Sequence, residues 1–388
     1  MENYFNVKKN LKIVLFLGSF AFGFLSFILP IYSKNIGGSG VSIGGLFSVF
    51  SIISLLLRPI IGRAIDKYGR KCFFVSSFIF YAISMILFSY STNILLLYLS
   101  RLIQAIGASM MWITSYSIAA DIADNENKGK TIGQVDGASS KGALCGAIIG
   151  FIILSNFSIL EGWSILFKGY AILALLAAYI AYKKIPETSV KQNERTIIQN
   201  KNNYNIYFYK LLSIVFITSL STSMLSPVLM IYLQDRFTSN IFVLGLAFTP
   251  AAYVYAFLPS KLGGISDKVG RVIPMVVGLL CAGIISLGFS RCNDIRLLVI
   301  LWVLESIGLV LASPAEEALV ADIVDEKTRG SAYGTYFFVS SLGAIIGPLL
   351  GGWLYDGYGH HIPFYVNAIL LFLNSVMTIV LLGKKYKL

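Results

Sequence analysis

Stretches of about 20 mostly apolar residues, enough to cross a hydrocarbon core of about 30 Å as α-helix, alternate with short polar breaks along the whole chain. They lie around 11–33, 42–63, 72–91, 95–120, 131–155 and 163–182, then around 209–233, 243–262, 273–290, 297–321, 331–353 and 362–383. The pattern predicts twelve spanning helices joined mostly by short loops. No loop between them is long enough for a soluble domain, so folding is expected to take place within the bilayer. The first run exceeds the roughly 7–15 residues of a signal-peptide core and lacks a small-residue cleavage site, so it is expected to stay as the first span.

Composition agrees: of 388 residues 56% are hydrophobic and 13% charged, and the mean hydropathy is +0.75. Ordinary soluble domains carry about 25% charged residues. The formal net charge of +12 would suit a polyanionic partner, but its distribution says otherwise. With the N-terminus placed inside, only Lys34, Arg236, Arg291 and Arg296 among the loop and helix-end cations fall outside. This is the positive-inside bias, so the charge reports topology, both termini are predicted to be cytoplasmic, and no nucleic acid is expected as a partner. Cys72, Cys145, Cys281 and Cys292 are scattered without paired spacing and read as small apolar fillers. His360 and His361 are too few for a metal site and read as a solvated outer loop.

The chain repeats itself. "GRAIDKYGRK" from Gly62 recurs as "GGISDKVGRV" from Gly263, "ADIADNENKG" from Ala120 as "ADIVDEKTRG" from Ala321, and "GALCGAIIGF" from Gly142 as "GAIIGPLLGG" from Gly343, all at an offset of 201. Gly107 maps onto Gly308 likewise, while spans 1 and 7 align at 200 through "LSFILPIY" and "LSPVLMIY". Two six-helix bundles, 1–183 and 209–388, are therefore expected on either side of a polar, Asn-rich, flexible cytoplasmic linker at 184–208. An even number of spans per half gives both halves one orientation, related by an axis along the membrane normal, with a site near the midplane. The chain thus resembles the major facilitator superfamily over essentially its full length. The resemblance implies an all-α membrane fold of twelve transmembrane helices in two pseudo-symmetric bundles, working by alternating access, with spans 1, 4, 7 and 10 lining a central cavity.

The loop between spans 2 and 3 carries that family's signature in Gly62, Asp66, Lys67, Gly69, Arg70 and Lys71, and the second copy keeps Gly263, Asp267, Lys268, Gly270 and Arg271. Glycine lets helix ends approach, a carboxylate suits a helix N-terminus, and Arg can bind a second carboxylate bidentately. The resemblance implies that Asp66 faces the start of span 11 and that Arg70 pairs with Asp121, with Asp267, Arg271 and Asp322 doing the same near span 5, as cytoplasmic gates.

Ionisable groups inside spans cost about 2.5–3.5 kcal/mol each on insertion scales and are functional candidates. Arg101 opens "RLIQAIGAS" in span 4, similar to the family's Arg-x-x-Gln-Gly pattern but with Ala105 for the Gly; the resemblance gives this Arg a part in proton coupling. Glu305 in span 10 is the repeat equivalent of Gln104, so Glu305 and Arg101 are expected at similar depth, facing one cavity. Asp136 falls near the cytoplasmic entry of span 5 and Lys141 near mid-membrane, about 140° apart on the helix and so not a local pair. These five residues are the candidates for proton coupling or substrate contact. Arg58, Glu316 and Glu317 read as snorkelling from helix ends. Trp112, Tyr116, Tyr253 and Tyr255 could line a cavity for flat or amphiphilic substrates, but for each of them lipid contact or packing is the favoured reading.

"GVSIG" from Gly40 fits a nucleophile pattern only superficially: it opens a spanning helix, and Ser42 reads as its N-cap. "GKT" from Gly129 lacks the upstream glycine of a phosphate loop, Asp124 standing there. No enzymatic activity and no cofactor is expected, the energy source being a proton gradient. The leading expectation is a monomeric secondary transporter of the plasma membrane that exports small amphiphilic compounds in exchange for protons, with that solute, protons and the lipid bilayer as its partners. Proton-coupled uptake of a sugar or other metabolite is the alternative, and a non-transporting receptor a remote one.

The family's antiporter signature belongs in span 5, as Gly, eight residues, Gly, three residues, Gly-Pro, two residues, Gly-Gly. Span 5 supplies Gly133, Gly142, Gly146 and Gly150 but has Ala147 and Phe151 for the Pro and the last Gly. Span 11 holds every element in Gly334, Gly343, Gly347, Pro348, Gly351 and Gly352. Span 11 is therefore expected to be the bent, closely packed gate, and span 5 straighter, with Lys141 exposed to the cavity.

Overall fold

The computed structural model describes residues 2–122, 128–188, 204–258, 262, 265–266, 268–324 and 329–386. Its main elements are α1 (Glu2–Gly18), α2 (Phe20–Asn35), α3 (Gly40–Tyr68), α4 (Arg70–Ser89), α5 (Ile94–Asp121), α6 (Lys128–Asn156) and α7 (Ile159–Lys184). After these come α8 (Ile206–Arg236), α9 (Ile241–Phe257), α10 (Val272–Arg291), α11 (Ile295–Ile323), α12 (Arg329–Tyr358) and α13 (Ile362–Tyr386). Among the described residues there are no strands. Among the described residues eleven segments are long and apolar enough to cross a membrane, and a shorter apolar helix, Ile241–Tyr255, stands in the position of the eighth. The protein is a multi-pass membrane protein.

Span 1 comprises two helices rather than one. The chain breaks at Ser19, where the ring of Phe78 occupies the space a Cβ on Gly18 would need. The remaining helices follow the predicted spans in order.

By contacts the chain forms two compact units, Met1–Gly38 with Val49–Ile197, and Ser39–Ser48 with Ile198–Leu388. In the first, Gly142 and Gly146 of α6 lie directly against the backbones of Phe16 and Phe20, and Gly150 against the ring of Phe24. In the second, Gly343, Gly347 and Gly351 of α12 lie against the backbone of α8 between Phe216 and Met224. Span 5 is thus as closely packed as span 11, contrary to the asymmetry the lost proline suggested. The reason is geometric: small residues at four-residue spacing admit a neighbouring backbone with or without proline. Both α6 and α12 are continuous helices, α12 through Pro348. Gly107 closes the α4–α5 crossing against the Ser77 carbonyl, as Gly308 closes α10–α11 against Gly278.

Several buried polar groups find partners inside each unit, as a lipid environment favours. Tyr32 and Tyr232, equivalent in the repeat, donate their phenols to the carbonyls of Ser91 (2.7 Å) and Phe289 (3.2 Å). In the second unit Asn367 bonds both Ser221 and Ser286 (3.1 Å), tying α8, α10 and α13. The first ten residues grouped with that unit include the start of α3, whose Gly40 and Val41 amides donate to Asp356 at 2.9 Å each. Ser39, not Ser42, caps this helix, accepting from the Ser42 amide at 3.2 Å. A carboxylate and a hydroxyl together satisfy orphan donors at the positive helix end. Cys72 and Cys281 are exposed, so packing does not explain them, whereas Cys292 is buried.

Candidate functional site

The N-terminal unit places its signature loop at the meeting of α3 and α4. Gly69 adopts φ +92°, a conformation suited to glycine, and a side chain there would also collide with Glu187. That carboxylate accepts from the amides of Arg70 (2.8 Å) and Lys71 (3.0 Å), capping the start of α4. Arg70 is then free to reach along α5 and forms an ion pair with Asp121, which also accepts from Thr188 Oγ1 at 2.8 Å. The opening of the predicted linker, 185–188, is therefore docked on the latch instead of flexible. The sequence did not show this, because the partners lie more than 60 residues apart. Asp66 is exposed on α3. Gly62 mediates no close approach, since nothing lies within 4 Å of where its Cβ would be. In the C-terminal unit Arg271 pairs with Asp322 at 2.9 Å and donates to Ser266 Oγ at 2.8 Å, beside Gly270 at φ +88°. Gly263 and Asp267 lie outside the described residues.

Within the N-terminal bundle, Asn93 starts α5 by accepting the Leu96 amide at 2.9 Å. Two turns on, Arg101 and Gln104 fall on one face at i, i+3. Arg101 is buried, donates to Gln104 Oε1 at 2.6 Å and lies 4.5 Å from the Phe50 ring centroid. Gln104 in turn donates to the Tyr81 hydroxyl at 3.3 Å. The guanidinium is thus built into a network across α3, α4 and α5 and does not stand alone. Asp136 accepts from the Tyr116 hydroxyl at 2.8 Å. Lys141 is exposed on α6.

The C-terminal bundle holds two buried carboxylates on α11. Glu305 is 6% exposed, lies close to Tyr255 of α9, and takes part in no ion pair among the described residues. Glu316, equally buried, does not snorkel. It accepts from Thr218 Oγ1 (3.1 Å, α8) and the Tyr336 hydroxyl (3.0 Å, α12). Polarity inside apolar runs is the one mark that either donor carries in the sequence. Gly343, Gly347 and Gly351 serve the α8 contact already described, while the Pro348 carbonyl meets Gly44 of α3. Between α12 and α13 His361 bonds Arg236 at 3.0 Å and His360 stacks on Tyr355 with centroids 4.4 Å apart, so these histidines form a clasp and not a free loop. Partial burial and the Arg236 guanidinium hold the His361 imidazole below its usual pKa, consistent with a neutral ring accepting from Arg236.

Profile comparison matches the Major Facilitator Superfamily over residues 11–201 and 211–388. The chain belongs to the major facilitator superfamily. This transporter is 24% identical to Multidrug resistance protein 1 of Bacillus subtilis over 383 residues, 96% of each chain. It is 26% identical to a Lactococcus lactis protein described as a homolog of the multi-drug resistance efflux pump PmrA, over 389 residues and 95% of each. Among solved structures, the nucleoside transporter NupG superposes with a TM-score of 0.82 at 14% identity, covering 97% of this chain and 100% of that one. The twofold bundle architecture is therefore that of the family.

Proposed function

We propose that the transporter exports small amphiphilic organic compounds across the plasma membrane in exchange for protons, by alternating access with both termini cytoplasmic. The observation that carries the coupling is Glu305, a carboxylate 6% exposed in a spanning helix with no ion-pair partner among the described residues. Ionised, it bears a desolvation cost of several kcal/mol, and a proton removes that cost. Such a group favours different helix arrangements before and after protonation. The efflux direction draws on the full-length likeness to proteins described as multidrug resistance proteins and efflux pumps.

Inverted membrane vesicles acidified inside are expected to accumulate ethidium or another amphiphile from a substrate panel, with the accumulation collapsed by a protonophore. Gradient-dependent accumulation confined to right-side-out vesicles would instead make the protein an importer.

The Arg70–Asp121 and Arg271–Asp322 pairs act in this reading as cytoplasmic latches. Charge-assisted hydrogen bonds are worth about 1.5–3 kcal/mol, so Arg70→Asp or Asp121→Arg alone should slow vesicle transport about tenfold or more. The double exchange, Arg70→Asp with Asp121→Arg, should recover most of that rate, measured as initial flux at equal protein level. No recovery in the double exchange would mean that the pair is not the latch.

A further inference from the structure

A groove of about 820 Å³ lies entirely within the N-terminal bundle, between α1 and α6. On α1 its wall is Lys9, Lys12, Ile13, Phe16 and Leu17, the i, i+3, i+4, i+7, i+8 stripe of one helical face. On α6 it is Gln134, Gly137, Ala138 and Lys141, again a single face. Contacts advancing together, Phe16 with Gly142 and then Phe20 with Gly146, show that the two helices run parallel. The Phe16–Gly142 contact closes the deep end. Toward the helix N-termini the walls part, and nothing lies within 4 Å of where a Cβ on Gly137 would be. Lys9 stands about 10 Å before the closure and Lys12 about 6 Å before it, while Lys141 is adjacent to it.

Three ammonium groups are thus set at successive depths along a slot whose other walls are apolar apart from Gln134. No carboxylate lines it, and none of the three is in an ion pair among the described residues. Neighbouring Lys8, by contrast, is engaged by Thr131 Oγ1 at 3.1 Å. An unpaired lysine inside a span is costly, and the groove's charge calls for an anion while its floor calls for an apolar body. Its volume is that of a site for a drug-sized molecule, too small for a whole two-chain phospholipid.

We propose that this groove binds a drug-sized amphiphilic anion, its carboxylate, sulfonate or phosphate held by Lys12 and Lys141 with Lys9 at the mouth, and its apolar part against Ile13, Phe16 and Leu17. That the anion is cargo rests on the efflux reading; that it binds here does not.

The test uses the purified full-length protein in dodecyl maltoside and the fluorescent acid 11-(dansylamino)undecanoate, with its methyl ester as uncharged counterpart. The expected result is saturable binding of the acid and at least about tenfold weaker binding of the ester. Lys9→Gln/Lys12→Gln/Lys141→Gln should bring the acid down to the ester's level, and Lys8→Gln should change nothing. Gly137→Leu, whose side chain enters open groove space, should weaken acid and ester alike. This variant and Lys141→Gln carry the test if the triple variant elutes as aggregate. Equal acid binding in wild type and the lysine variants, or equal affinity for acid and ester, overturns the proposal. So does displacement of the acid by stoichiometric phosphatidylglycerol, which would make the groove a lipid site. Binding is read without any gradient, so its failure leaves the efflux reading standing. Binding without vesicle transport would sink the efflux reading and leave the site.

Discussion

Glu305→Gln is expected to abolish pH-driven accumulation in inverted vesicles and to leave solute exchange without a gradient intact. Gln is nearly isosteric with Glu and cannot ionise, so the packing of α11 against α10 at Gly278 and Gly308 is preserved. What is lost is the change of charge. A carrier whose only coupling carboxylate is permanently neutral can still reorient with solute on both sides, yet it has no state that a proton gradient favours. The measurement pairs gradient-driven uptake with counterflow in the same proteoliposomes. Full gradient-driven flux in Glu305→Gln would remove the residue from the coupling step and turn attention to Glu316, the other carboxylate buried on that helix.

The second large effect is on folding. Gly347→Leu should leave no monodisperse protein, and Gly146→Leu in the other bundle should do the same. At Gly347 a Cβ would fall 2.5 Å from the Leu220 carbonyl and 2.9 Å from the Met224 amide. These are backbone atoms of α8 that cannot swing aside as a side chain could. Overpacking costs about 1–3 kcal/mol where neighbours yield; here the whole helix pair has to separate. Gly62→Leu and Gly334→Leu are the controls, since nothing lies within 4 Å of either site, and both should elute normally. Fluorescence-detected size-exclusion of the four variants decides the matter. Normal elution of Gly347→Leu would show the α8–α12 contact to be looser than described.

How much of this was legible in the sequence depended on where each residue's partners lie. The spans could be read because lipid imposes one length and one polarity on every segment. The repeat could be read because a constant offset survives where individual residues drift. The Arg70–Asp121 pair came from the family resemblance and from its echo at Arg271 and Asp322. Glu316 was misread: its place near the inner end of a span suggested snorkelling, and only the three-dimensional approach of Thr218 and Tyr336, on two other helices, shows an interior carboxylate. The docking of Glu187 on α4 was hidden for the same reason, in a stretch whose polarity alone suggested a tether. The expectation that span 11 alone would be the closely packed copy failed at α6, where Gly142 and Gly146 meet a neighbouring backbone just as closely.

The tyrosine–carboxylate bonds that join the fourth to the fifth spanning helix of each bundle illustrate what a near-exact repeat conceals. Tyr116 donates to Asp136 in one and Tyr336 to Glu316 in the other, with acid and phenol exchanged between the helices and the register shifted by one residue from the offset of 201 seen in their surroundings. A shift of one residue turns a position by about 100° around its helix. The result is that Tyr116 is 37% exposed while Tyr336 and Glu316 are each 6% exposed. The same bond is partly exposed in the first half and buried in the second. Reaching the Glu316 carboxylate then requires the helices that carry Thr218 and Tyr336 to move apart, a motion that the half-exposed Tyr116–Asp136 bond does not need. Two halves alike in backbone thus keep different clocks.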